Sequence, residues 1–167
     1  MNFELERKFL VRDNCWQEFV SERTSIRQAY LASAGKTSIR IRIKGSETAT
    51  LTIKSRPHGL RRLELEYPIP VLEAEALIQL REGSVIEKVR STIPWGDLVW
   101  EIDSFSDENS GLVIAEIELR HEHQRIELPD WLGAEVTGQS RYYNSSLALN
   151  PFRSWAPDGD MSIERRA

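Results

Sequence analysis

The sequence predicts a mainly β fold of the α+β type: an eight-stranded antiparallel barrel with a few covering helices. Three observations carry this. Eight segments alternate apolar and polar residues with the period of a strand, several are joined by stretches short enough to be turns, and only three patches show helical spacing. In chain order the strands fall at 3–11, 25–32, 37–44, 48–56, 61–68, 85–93, 97–105 and 112–120, with Lys44-Gly45-Ser46 and Pro57-His58-Gly59 as turns. The helical patches run from Asp13, a plausible N-cap, to Val20; from Leu72 to Arg81 with Leu72, Ala76, Leu77 and Leu80 on one side; and through a pair near 129–135 and 142–149. After Pro151 the chain reads "FRSWAPDGDMSIERRA", without periodicity. Residues 1–149 are therefore expected to form one domain and 150–167 a tail or packed-down extension.

Composition narrows the classes. A chain of 167 residues with 40% hydrophobic content can build one core, and a net charge of -4 gives no global basic field for nucleic acid. The only cysteine, Cys15, excludes an internal disulfide and a four-thiolate zinc site. Neither a signal peptide nor an 18-residue apolar run is found, so a cytoplasmic protein without a membrane partner is expected. His58, His121 and His123 lie at turn or strand ends, with no zinc spacing and no phosphate-binding glycine motif.

The charges are sorted. "ELERK" puts Glu4, Glu6 and Lys8 on one strand face and Leu5 and Phe9 on the other; "SIRIRIKG" puts Arg40, Arg42 and Lys44 opposite Ile39, Ile41 and Ile43. The pattern recurs with Lys54 and Arg56, Glu64 and Glu66, Lys88 and Arg90, Glu101 and Asp103, and Glu116 and Glu118. A solvated sheet face also alternates, and for any single strand that is the commoner explanation. Such a face usually mixes its polar residues, however, whereas these strands divide into acidic and basic ones. Turned inward, the two sets need neutralising, because an unpaired buried charge costs several kcal/mol. A polyphosphate would answer the basic strands and Mg²⁺ or Mn²⁺ the carboxylates. The apolar set would then face outward, under helices or a second copy of the chain in a homodimer.

These stretches resemble a known family. "ELERK" is similar to the ExExK signature of the CYTH superfamily, the triphosphate tunnel metalloenzymes, and "RIRIK", "LTIKSR", "LELEY", "IEKVR", "WEID", "AEIEL" and "RYYN" follow in the family's order over residues 1 to about 149. The likeness is greatest to the small stand-alone bacterial members. It implies a closed eight-stranded antiparallel tunnel and a metal-dependent hydrolase that cleaves inorganic triphosphate to phosphate and diphosphate.

Residue by residue, the resemblance implies that Glu4, Glu6, Glu116 and Glu118 bind the metal and that Lys8, Arg40, Arg42, Lys54, Arg56, Lys88, Arg90 and Arg141 grip the phosphates. Glu64, Glu66 and Asp103 would position the cations, help a second metal or orient water, and Lys8 is expected to stabilise charge at the scissile bond. The expected partner is inorganic triphosphate or another triphosphate-containing small molecule. A class IV adenylate cyclase, a thiamine or nucleoside triphosphatase, and a non-catalytic polyphosphate-binding module remain alternatives. Tyr30, Tyr67, Tyr142 and Trp100 read as packing rather than as a slot for a base.

Overall fold

The computed structural model describes residues 5–33, 37–55, 63–121 and 123–155, and a single nine-stranded sheet runs through them. Its strands are β1 (Glu6–Val11), β2 (Glu22–Ala32), β3 (Thr37–Lys44), β4 (Thr48–Ser55), β5 (Glu64–Ile69), β6 (Glu82–Trp95), β7 (Leu98–Phe105), β8 (Val113–Glu118) and β9 (Leu132–Glu135). Spatial order is β5-β4-β3-β2-β6-β7-β8-β1-β9, and every pairing is antiparallel. The mainly β fold expected from the alternation is therefore present, with two differences.

The ladder does not close. Among the described residues β5 and β9 form the two edges, so the arrangement is a nine-stranded open ladder rather than a closed eight-stranded one. The extra strand, β9, replaces the first of the two C-terminal helices expected near 129–135. A Cβ on Gly133 would stand 3.1 Å from the Leu10 carbonyl oxygen, so the backbones of β9 and β1 run too close for a helix with side chains to fit. The short stretch "LGAE" carries no alternation that could have announced this.

The outward face is apolar where helices cover it. Helix α1 (Val71–Ile78) begins at Pro70, whose fixed φ suits a helix start, and buries Ala74 and Ile78 against Ala29, Ile41, Ile43 and Ala49. The buried stripe is thus Val71, Ala74 and Ile78, spaced by three and four residues, with Leu77 beside it. Leu72 and Leu80, expected on the covered side, are 85% and 70% exposed. On the other half of the sheet Phe9, Ile93, Trp100, Ile102, Ala115 and Ile117 pack beneath Trp16, Trp131 and Leu132. Trp16 comes from a 3₁₀ turn at Cys15–Phe19, shorter than the Asp13–Val20 helix expected, and the Asp13 carboxylate accepts the Cys15 backbone N–H at 2.8 Å. Val89, expected under cover on this face, is 40% exposed.

The opposite face is also buried, although it is charged. Lys8, Gln28, Thr52, Lys88, Asp103 and Glu116 all lie on it and are buried. Helix α2 (Asn144–Leu149) covers only one end, so burial in the middle requires the sheet to curl over its own charged face. At that covered end the charges give way to Tyr30, Ile86, Phe105 and Ile114, which pack with Leu112, Val136, Tyr142, Leu147 and Ala148 into an apolar plug. Phe152 and Trp155 pack against the plug, so the first residues past Pro151 are laid down on the domain. Gly83 makes the approach of α2 possible: a Cβ there would sit 2.3 Å from the Ala148 carbonyl oxygen.

Candidate active site

Register decides which side chains share the charged face, because residues directly opposite in a ladder point the same way. Glu6 faces Glu118 and Lys8 faces Glu116 between β1 and β8; Glu116 in turn faces Glu101 on β7. Asp103 faces Arg90 on β6, and Gln28 of β2 faces Arg42 of β3. Arg40 faces Thr52 and Ser38 faces Lys54 on β4; Thr52 and Lys54 face Glu66 and Glu64 on β5. One uninterrupted surface therefore carries acidic residues on the β1, β7 and β8 flank, basic residues in the centre, and a second acidic pair at the β5 edge.

On the acidic flank two pairs of carboxylates stand directly opposite each other, Glu6 with Glu118 and Glu101 with Glu116. Like charges in such positions repel unless a cation lies between them. One cation, Lys8, links a member of each pair: its ammonium is 2.9 Å from Glu6 Oε1 and forms a short ion pair with Glu116. Burial works to lower the Lys8 pKa, but Glu116 and Glu6 outweigh it and raise it. Arg90 is the other cation, pairing with Glu101 and reaching Glu116 Oε2 at 3.3 Å.

Asp103 anchors the centre. Fully buried, it receives Arg90 through Nε and Nη2, both at 2.7 Å, and Lys88 Nζ at 2.5 Å. Burial alone would raise its pKa, yet Lys88 and Arg90 pull it well below the usual carboxylate range. Arg90 shows the mirror image: burial lowers its pKa, and Asp103, Glu101 and Glu116 more than reverse this. Lys88 does not recover in the same way; its burial, against the pull of Asp103, leaves it pushed down to about 8. Lys88 also donates to Asn144 Oδ1 at 3.1 Å, from the first residue of α2, and stands 5.3 Å from the Phe105 ring centre. Asp103 thus holds two cations, Lys88 and Arg90.

The basic centre is less compensated. Arg42 donates Nε to the Gln28 amide oxygen at 3.0 Å and forms no ion pair among the described residues. Its pKa is lowered to about 10, first by burial and then by Arg40 and Arg90 nearby. Arg40 donates to Thr52 Oγ1 at 3.2 Å, lies 3.9 Å from Glu66 Oε2, and keeps a buried Nε without a hydrogen-bond partner. At the β5 edge Lys54 is 2.8 Å from Glu64 Oε2, while Glu66 accepts the Thr52 hydroxyl at 3.1 Å.

The structure thus brings Glu6, Lys8, Glu116, Glu118, Arg40, Arg42, Lys54, Glu64, Glu66, Lys88, Arg90 and Asp103 onto one face. Arg141 is not on a strand: it lies in a 3₁₀ turn at Ser140–Tyr142, with its guanidinium 3.9 Å from the centre of the Trp155 ring. Glu4 and Arg56 lie outside the described residues. Glu101, Asn144 and Gln28 belong to the face or touch it and were missing from the expected set. Glu101 was visible as the i−2 partner of Asp103; Gln28 and Asn144 are neutral, and a search for charges passes over them.

Among the described residues no three carboxylate, imidazole or thiol groups are already gathered as a cage for a metal. The donors nonetheless fit a hard cation: they are all carboxylates, set in two directly opposed pairs on neighbouring strands.

The CYTH domain model matches residues 2–148. The inorganic triphosphatase of Acetivibrio thermocellus is 41% identical over 156 residues, spanning 93% of this chain and 99% of that protein. The inorganic triphosphatase of Nitrosomonas europaea is 37% identical over 152 residues, 88% of this chain and 97% of the relative. A solved crystal structure of an inorganic triphosphatase superposes with a TM-score of 0.67 at 34% identity, covering 89% of this chain and 96% of that one. With the family pattern matched over residues 2–148, and an acidic flank beside a basic centre on one inward face of the sheet, the chain belongs to the CYTH domain family.

Proposed function

We propose that this protein is a divalent-metal-dependent inorganic triphosphatase that hydrolyses triphosphate to phosphate and diphosphate. The observation that carries the reading is Arg42, a guanidinium inside the sheet with no carboxylate at ion-pair distance among the described residues and two more arginines nearby. Uncompensated positive charge in such a place is costly, and a polyanion removes the cost while gaining bidentate hydrogen bonds. The names of the relatives above supply the substrate. Arg40, Arg42, Lys54, Lys88 and Arg90 would hold the phosphate chain, with Arg56 and Arg141 as further candidates. Asp103, Glu64 and Glu66 would keep these cations oriented.

Glu6, Glu116 and Glu118, with Glu4, would hold Mg²⁺ or Mn²⁺. The bound ion would withdraw charge from phosphoryl oxygens and so favour attack by water. Lys8, between Glu6 and Glu116, would donate its ammonium protons to charge developing at the scissile bond. A carboxylate of the acidic flank would orient the water.

An inorganic substrate is favoured over a nucleotide by what lines the uncovered end. A cavity of about 590 Å³ opens there between β2, the β3–β4 turn and β6, with Thr24, Ile26, Lys44, Thr48, Thr92 and Glu101 among its lining and no aromatic ring. Of the aromatics near the charged face, Tyr30 and Phe105 are locked in the plug, while Tyr143, 38% exposed, has its ring centre 6.0 Å from the Lys8 ammonium and does not line this cavity. The test is phosphate release from triphosphate, ATP and thiamine triphosphate with Mg²⁺ or Mn²⁺, alongside cyclic AMP formation. Triphosphate should give the highest kcat/KM, and excess chelator should abolish turnover. Full activity in chelator, or faster conversion of ATP to cyclic AMP, would refute the reading.

A further inference from the structure

Gln28 occupies the middle of β2 with none of its surface exposed, on the charged face and directly across the ladder from Arg42. Its Oε1 accepts Arg42 Nε at 3.0 Å, and its Nε2 donates to Tyr30 Oη at 3.4 Å. Arg90 uses the same atom, Nε, to bond a carboxylate, Asp103. An amide and a carboxylate orient a guanidinium equally well; they differ in how much charge they leave to it.

We propose that Gln28 is a positioning residue that sets affinity for triphosphate, fixing Arg42 through Nε while leaving its terminal amines and its whole charge for phosphoryl oxygens. The inference rests on the triphosphatase reading and adds to it a residue without charge of its own. The surroundings sharpen the point. Burial, Arg40 and Arg90 outweigh Tyr30 and Asp103 and work against a charged Arg42, so a glutamate at position 28 would relieve the fold locally. The chain holds the isosteric amide there, which orients Arg42 without that relief.

The experiment combines Q28E, Q28L, R42Q and the double variant Q28L/R42Q with the unmodified protein. Triphosphate binding is followed by titration calorimetry in chelator, and kcat and KM are measured with Mg²⁺. Q28E keeps the size and the acceptor but neutralises Arg42, so binding should weaken and KM rise by about tenfold or more, with kcat within about threefold. Q28L removes the acceptor, so it should weaken binding in the unmodified background and add nothing once Arg42 is glutamine. Circular dichroism and thermal melting report folding; if Q28L does not fold, Q28E still decides. A Q28E protein that binds and turns over triphosphate normally, or a Q28L cost that is the same with and without Arg42, overturns the role given to Gln28. An unmodified protein that neither binds nor hydrolyses triphosphate overturns the triphosphatase reading itself.

Discussion

The two flanks of the charged face handle positive charge in opposite ways. Towards β7, β8 and β1 every cation has carboxylates at ion-pair distance: Lys8 meets Glu6 and Glu116, Lys88 meets Asp103, and Arg90 meets Asp103, Glu101 and Glu116. Towards β3 only the edge cation Lys54 has a close carboxylate, Glu64, whereas Arg42 has a neutral amide and Arg40 a hydroxyl with a distant Glu66. The first flank balances each of its cations with carboxylates, so they are held in place before any ligand arrives. The second has charge in excess. Fixed cations suit transition-state stabilisation, since they need no reorganisation during the reaction, whereas surplus cations suit capture of a polyanion.

The largest effect that should separate the flanks is on rate. Lys8→Ala removes a donor from the balanced flank and should lower kcat by about 10²–10³ while triphosphate still binds. Arg42→Ala removes a surplus cation and should raise KM with a smaller change in kcat, the loss of a charge-assisted contact being about 1.5–3 kcal/mol. Steady-state kinetics on both variants test the division. A Lys8→Ala enzyme with normal kcat would remove Lys8 from the catalytic group and dissolve the distinction.

Stability should divide along the same line. Asp103→Ala strands the buried Lys88 and takes from Arg90 its bidentate partner, leaving it Glu101 and Glu116, and removing one partner from such a cluster costs about 3–5 kcal/mol. For a chain of this size that lowers the melting temperature by on the order of 10 °C. Added triphosphate should restore part of the loss, because it supplies the missing negative charge. Removing Glu66 from the less balanced flank should cost far less, since it is 49% exposed and only 3.9 Å at best from Arg40. Equal melting shifts for the two variants would show that the flanks do not differ.

How much of this was legible in the sequence follows from how each feature is encoded. Strands β3, β4, β6 and β7 were readable because a strict two-residue alternation has one consistent burial, and the ladder register keeps Arg40, Arg42, Lys54, Lys88 and Arg90 on a shared face. The helical stripe of α1 was misread because Leu72 and Leu80 are the bulkier residues, whereas the smaller Ala74 is what fits against Ile41 and Ile43. Strand β9 was invisible, since four residues containing a glycine have no period, and only the close passage against Leu10 makes them a strand. The apolar plug was hidden for a similar reason. Tyr30, Ile86, Phe105 and Ile114 look like interruptions of a polar face until α2 is seen to cover them. Charged site residues advertise themselves by repetition; Gln28 and Asn144 are neutral, each accepts one hydrogen bond from a site cation, and they leave no pattern.

The smallest effect concerns Lys88, the one cation of the balanced flank whose balance is incomplete. Burial leaves its pKa pushed down to about 8 from an ordinary 10.5 despite Asp103. A lysine lowered on folding loses its proton in the native protein first, so between about pH 8 and 10.5 the unfolded chain binds more protons and stability rises with pH. Activity runs the other way: if the ammonium holds phosphate, kcat/KM should fall above about pH 8. Asn144→Asp places a second carboxylate where an amide oxygen now stands 3.1 Å from Nζ. An anion at that range favours the charged form, so the alkaline limb of kcat/KM should move up by about one pH unit. The rise in melting temperature across the same window should shrink with it. Profiles of kcat/KM and melting temperature from pH 6 to 10 for both proteins test this, and a limb that stays near pH 8 in the variant would show that the proton lost there does not come from Lys88.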